Sequence, residues 1–232
     1  MPTITIKDKQ FAYTIKRKSI RSINLRFLSS KSFYVSCNLF TPTLIINRFI
    51  RAHQDWIYQN SAKFTSYPVL KNLKKLIILD QVYQVKFNSL AKNSLIFHHK
   101  SKIINIYTKN LSQTNLKKIF ETSGRKLAKI LIQKQIESIS FSPKFQIKHI
   151  SVRNQKSRFG SCSGHQRLSF NWQIIFFPPN LFRHIICHEL VHLKIKNHKK
   201  DFYQALSLLD SDWKKNNSWL KTQAKKYFLI KP

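Results

Sequence analysis

From residue 187 the sequence reads Cys-His-Glu-Leu-Val-His-Leu-Lys-Ile-Lys-Asn-His. His188 and His192 stand four residues apart, so on a helix they share one face, and two imidazoles so placed can reach one zinc ion. Glu189 neighbours the first and can lean over a metal-bound water, whose pKa zinc brings towards ~7, and take its proton as it attacks. With nine histidines and three glutamates in 232 residues, His-Glu-x-x-His has a chance expectation of roughly 0.004. Leu181, Ile185, Ile186, Leu190, Val191 and Leu193 supply an apolar face, so the motif falls where a buried helix is expected anyway. A catalytic zinc takes three protein ligands and keeps a position for water. His198 is the expected third, with Asp201 and the few other nearby acids as rivals. Asn197 before it suits the left-handed residue that ends a helix and lets the chain turn back. Metzincin proteases share this spacing, but their glycine position is Ile195 here, and the only methionine, Met1, supplies no methionine turn.

Two of the three glycines, Gly160 and Gly164, lie close upstream of this motif and are expected to serve a tight turn or a close backbone approach. Arg158 beside them has two readings. It stabilises an oxyanion or holds a substrate carboxylate or phosphate, or it is a structural hydrogen-bonding arginine. Cys162 reads as a small packed hydrophobe rather than a ligand. Cys37, Cys162 and Cys187 form no paired spacing, so reduced thiols are expected.

The elements that must position these residues follow from periodicity. Short strands are expected at Thr5–Lys7, Phe11–Lys16, Ser22–Phe27 and Ser32–Asn38, with a hairpin turn at Ser29–Lys31. Thr41-Pro42-Thr43 starts a helix over about 43–62. Strands follow at Lys75–Leu79, Gln81–Phe87, Ser94–His98 and Ile103–Thr108, then helical spacing from Gln113 to about Ile139, interrupted in propensity by Gly124. Further strands are expected at Gln146–Arg153 and Arg167–Trp172, and helices at about 180–196, 199–209 and 213–228. No internal repeat is visible. A boundary is expected near 88–112, dividing a β-rich region with one helix, residues 1–90, from residues 91–232.

Composition narrows the class. The chain is 42% hydrophobic and 13% aromatic, which is globular. No apolar run approaches the ~18–20 residues of a membrane span, and the first residues carry no apolar signal region, so a cytoplasmic protein without a membrane partner is expected. The net charge of +33 is compatible with nucleotide or nucleic-acid association, but basic residues spread evenly along a chain rich in lysine, isoleucine and asparagine also fit compositional drift.

The chain resembles the YgjP-like metallopeptidase family, a zincin-type group related to the SprT and WLM metalloproteases. Lys156-Ser157-Arg158-Phe159-Gly160-Ser161-Cys162-Ser163 is similar to its "SRWGSCS" segment, with Phe159 where tryptophan is usual. Leu168-Ser169-Phe170-Asn171-Trp172 is similar to its strand ending in Asn-Trp, and His188 to His192 followed by Asn197-His198 and Phe202 to its active-site helix. Lys199, Tyr203 and Asp80 depart from that pattern, and none is a candidate ligand. The resemblance implies an α+β fold, with a β-rich N-terminal region and a zincin-like α+β domain carrying the HExxH helix. It implies one Zn²⁺ on His188, His192 and His198, Glu189 as catalytic acid/base, and a place near the site for Arg158 and Ser161, here taken as substrate-binding residues. The expected function is a zinc-dependent hydrolase, foremost a metalloendopeptidase acting on a protein or peptide substrate. The alternatives are a metal-dependent nucleoside triphosphate (UTP-type) pyrophosphatase and a basic nucleic-acid-associated protein. Against the pyrophosphatase, the sequence has neither a Gly-rich phosphate cradle nor a carboxylate cluster for Mg²⁺. The oligomeric state is left open.

Overall fold

A computed structural model describes residues 1–62, 67–139, 146–155 and 157–230. Lys156, the first residue of the Lys156–Ser163 segment, lies outside them. The fold is α+β, with strands concentrated in the N-terminal half and helices towards the C-terminus. The chain divides into two compact units, Met1–Ser66 and Tyr67–Pro232.

In the first unit β1 (Thr3–Ile6), β2 (Lys9–Lys18), β3 (Asn24–Ser29) and β4 (Ser32–Asn38) form one sheet in the order β1-β2-β4-β3. β2 and β4 run parallel, and the other neighbours antiparallel. Two helices follow, α1 (Thr43–Ala52) and α2 (Gln54–Ala62), where the spacing predicts one helix over 43–62. The break falls at His53, whose φ of −106° and ψ of 16° leave the helical region. Ile46, Ile50 and Ile57 from the helices bury against Phe11, Phe33 and Val35, as alternation in a one-sided sheet requires.

The second unit opens with β5 (Lys75–Ile78), β6 (Gln81–Asn88), β7 (Ser94–His98) and β8 (Ile103–Tyr107), ordered β5-β6-β8-β7 with β6 and β8 parallel. Order and pairing sense repeat those of the first sheet. A boundary at 90/91 would cut this sheet between β6 and β7. Because β6 pairs with β8, residues 67–90 lie in the same unit as the motif helix. The β5–β6 turn is Leu79-Asp80, both left-handed with φ of 46° and 60°, as a two-residue hairpin turn demands.

Next comes α3 (Gln113–Ile139), unbroken through Gly124. The glycine is there for space: a Cβ at 124 would run into Cε3 and Cζ3 of Trp172, which is fully buried. Gly124→Ala gains up to ~1 kcal/mol of helix propensity but forces a buried indole off its site, and overpacking costs about 1–3 kcal/mol or more. The variant is expected to lower the urea midpoint at unchanged m-value; an unchanged or raised midpoint would contradict this packing.

A three-stranded sheet ordered β10-β11-β9 then leads to the motif. It comprises β9 (His149–Arg153), β10 (Gly160–Cys162) and β11 (Arg167–Asn171). β11 runs parallel to β9 and antiparallel to β10. Trp172–Phe176 forms a buried 3-10 turn, followed by α4 (Pro179–Val191), α5 (Lys200–Leu209) and α6 (Trp213–Gln223). Among the described residues no helix is long and apolar enough to cross a membrane.

Candidate metal centre

Pro178 and Pro179 open α4, proline being suited to the first helical turn. Leu181, Phe182, Ile185, Ile186, Leu190 and Val191 bury its apolar side. The helix ends at Val191, five residues short of the expected end, with His192 as its cap. Leu193 donates to Leu190 O at 3.1 Å, and Lys194 and Ile195 donate to Val191 O at 3.0 and 2.9 Å, closing a tight turn. Asn197 is not left-handed. It acts through its side chain, whose Oδ1 accepts from Lys199 N at 3.2 Å just ahead of α5. This early stop brings His198 back over the helix.

The three Nε2 atoms converge. They are 3.2 Å apart between His188 and His192, 3.2 Å between His192 and His198, and 3.1 Å between His188 and His198. Donors at 2.0–2.1 Å from a tetrahedral ion stand about 3.3–3.4 Å apart, so this triangle matches one face of such a site. Phe202, on the first turn of α5, lies against all three rings, with centroid distances of 4.9, 4.6 and 4.6 Å to His188, His192 and His198. His192 donates from Nδ1 to Ile195 O at 2.9 Å, which leaves its Nε2 lone pair free for a cation. Burial first, then the neighbouring histidines, push His188 down to about 3. Burial likewise lowers His192, against the opposing pull of the Ile195 carbonyl. Both rings are therefore neutral at pH 7, the form a metal requires. Among the described residues this is the one cluster of three or more His, Cys, Asp or Glu ligand atoms, and Asp201 is not part of it.

Glu189 sits beside the triangle and is only 6% exposed. Among the described residues its Oε2 has no hydrogen-bond partner, so it is free to accept one from a molecule in the cleft. Burial raises its pKa to about 8, against the lowering pull of the Arg158 charge. Gly160 makes room for it, since a Cβ there would meet Glu189 Cγ at 2.6 Å. Gly164 has open space around it and no positive φ, so the expected backbone need is met at Gly160 alone.

These shifts fix a sign for the metal-free chain. Glu189 moves from 4.5 to about 8 on folding, so the folded state holds an extra proton between those values and stability falls as pH rises through them. His188 moves from 6.5 to about 3, so its contribution is lost as pH falls from 6.5 towards 3. Of these two groups only Glu189 acts above pH 6.5. Metal-free protein is expected to lose stability there, by about 1 kcal/mol per pH unit at most, and Glu189→Gln to remove that slope in thermal melts under chelator. An equal slope in both proteins would contradict the burial of a neutral carboxyl.

Arg158, Ser161, Cys162 and Lys196 line a cleft of about 270 Å³ together with the histidines and Glu189. Arg158 and Ser161 thus share a cleft with the three histidines. Gln155 Nε2 donates to Ser169 Oγ at 3.1 Å and reaches Ser161 Oγ at 3.5 Å. Cys162 is half-buried and stands outside the ligand cluster. Sequence reasoning passed over Lys196, whose Nζ donates to His192 O at 2.6 Å and Ser163 O at 3.4 Å, tying the end of α4 to the strand loop. It also passed over His184, one turn before His188, whose Nδ1 lies 2.5 Å from Asp210 Oδ2.

The profile of the family described as YgjP-like, metallopeptidase domain, matches residues 21–223. Among solved structures, the crystal structure of the metallopeptidase zymogen of Methanocaldococcus jannaschii jannalysin matches at 26% identity and a TM-score of 0.33, covering 42% of this chain and 95% of that one. No curated protein matches. With its profile spanning most of the sequence and the histidine cluster inside the matched region, the chain belongs to the YgjP-like metallopeptidase family.

Proposed function

We propose that the chain is a zinc-dependent metalloendopeptidase, with His188, His192 and His198 holding one ion and Glu189 acting as general base and then general acid. The observation that carries this reading is the convergence of three Nε2 atoms within 3.1–3.2 Å beside a buried carboxyl whose Oε2 lacks a partner. A bound zinc ion would supply Lewis acidity, lowering the pKa of water towards ~7 and polarising a carbonyl. A cation on the imidazoles also favours the charged form of Glu189, reversing the effect of burial. The carboxylate takes the proton of the attacking water at Oε2 and passes it to the departing amine. Arg158 and Ser161, which line the same cleft, orient the peptide. Phe202 and the His192–Ile195 hydrogen bond hold the ligand rings in place.

A nucleotide hydrolase built on Mg²⁺ draws on a carboxylate cluster; the described residues offer the histidine cluster instead. Casein and peptide cleavage assayed beside UTP hydrolysis, with Glu189→Gln as control, separates the two. Glu189-dependent release of peptides supports the peptidase. Glu189-dependent turnover of UTP without peptide cleavage overturns it, and nucleic-acid binding that survives Glu189→Gln with no turnover at all points to a binding protein.

A further inference from the structure

A second cavity, of about 240 Å³, opens beside His188 and Glu189 and runs between α4 and α6. Its near end is the reacting end. His184, one helical turn before His188, lines it further along, and a turn of α-helix is 5.4 Å, about the reach of an extended glutamate side chain. Between them the walls are apolar, formed by Phe159, Ile185 and Leu220, a sleeve suited to methylene groups. The polar lining is His184, Asn217 and Lys221. Among the described residues Glu189 is the one acid that lines the cavity.

His184 is built in. It is 2% exposed, and Asp210 holds its Nδ1. Asp210 accepts from Asn216 Nδ2 at 3.2 and 3.1 Å, and Asn216 Oδ1 accepts from Asn180 Nδ2 at 3.0 Å. This network ties α4 to α6 and fixes the ring against the cavity. A fixed polar wall in an otherwise apolar pocket sets the orientation and identity of what enters.

We propose that this cavity selects the substrate residue next to the scissile bond and takes an acidic side chain, with Lys221 supplying the countercharge, Asn217 a hydrogen-bond donor, and the His184 ring, fixed by Asp210, a wall that sets the depth. The proposal rests on the peptidase reading of the neighbouring centre. A lysine at the cavity, with Asp210 already engaged by His184 and Asn216, favours a carboxylate over an amide, an aliphatic or a lysine side chain.

The test uses the zinc-loaded full chain and fluorogenic peptides differing only in that flanking residue, as glutamate, glutamine, leucine or lysine. Binding of the same peptides to the Glu189→Gln chain is measured by calorimetry, which reads the subsite without turnover. Glutamate is expected to be preferred over leucine and lysine by about tenfold in both readouts. Lys221→Glu is expected to invert the order between glutamate and lysine. Lys215→Glu, on the same helix but outside the cavity, makes the same charge change and is expected to keep the original order. Cleavage without discrimination, or an order unmoved by Lys221→Glu, overturns the subsite and leaves the peptidase standing. Discriminating binding without cleavage by the wild-type chain keeps the subsite and overturns the peptidase. Absence of both binding and cleavage overturns both.

Discussion

Glu189→Gln is expected to lower kcat/KM for peptide cleavage by on the order of 10²–10⁴-fold, the span that a positioned general base contributes. The substitution keeps volume and shape, and Glu189 stands outside the histidine cluster, so zinc content is expected to stay at wild-type level. The fall should appear in kcat and kcat/KM alike, because proton transfer belongs to the transition state and not to substrate binding. The metal-free variant is also expected to fold at least as stably as wild type near pH 8, since it lacks a buried carboxyl that resists ionisation. Steady-state rates on one fluorogenic peptide, with metal content measured on the same samples, check both parts. Activity within a few-fold of wild type would remove Glu189 from the chemistry.

Gly160→Ala is expected to be nearly as damaging, although it leaves every candidate ligand and Glu189 in the sequence. The added Cβ would stand 2.6 Å from Glu189 Cγ, 2.7 Å from Oε1 and 2.9 Å from Cδ. Neither backbone can retreat easily. Gly160 is paired with Phe170 across β10 and β11, and Asn171 N donates to Phe159 O at 2.8 Å. Glu189 lies well inside α4, next to His188. The carboxyl therefore has to swing aside, and a misplaced base loses on the order of 100-fold. Zinc content is expected to persist, which separates this variant from ligand loss. Gly164→Ala is the matched control: it meets nothing within 4 Å and is expected to keep wild-type kcat/KM. Full activity in Gly160→Ala would show that the glycine is not what keeps Glu189 in place.

The parts of the site legible in the sequence are those set by local geometry. The four-residue spacing of His188 and His192 puts them on one helix face whatever surrounds them. The periodicity of Gln113–Ile139 survived Gly124 because Trp172 fills the space the glycine leaves. Asp80 reads as a departure from a family glycine, yet Leu79 and Asp80 both adopt the left-handed turn that position needs, conformations aspartate tolerates better than most residues. What stayed hidden depends on distant partners. His184 and Asp210 are 26 residues apart and meet only through the packing of α4 against the following helices. β10 is three residues long, too short for alternation to mark it. That residues 67–90 share a compact unit with the motif helix depends on the parallel β6–β8 pairing, a non-local contact. The repeated sheet order has the same origin: Ile6-Lys7-Asp8-Lys9 and Ile78-Leu79-Asp80-Gln81 occupy the same hairpin in the two sheets, and little else in the residues marks the correspondence. At Asn197 residue type pointed to a left-handed backbone, where instead the side chain closes a local turn by accepting from Lys199 N.

The most direct test of the centre is metal content, measured by elemental analysis on protein purified without a metal-affinity step and passed through gel filtration. About one zinc per chain is expected for wild type and for Glu189→Gln, and none retained by His192→Ala, because catalytic zinc needs three protein ligands. A folded wild-type chain that holds no divalent metal after incubation with zinc, or a His192→Ala chain that holds as much as wild type, would contradict the assignment of the His188, His192 and His198 cluster.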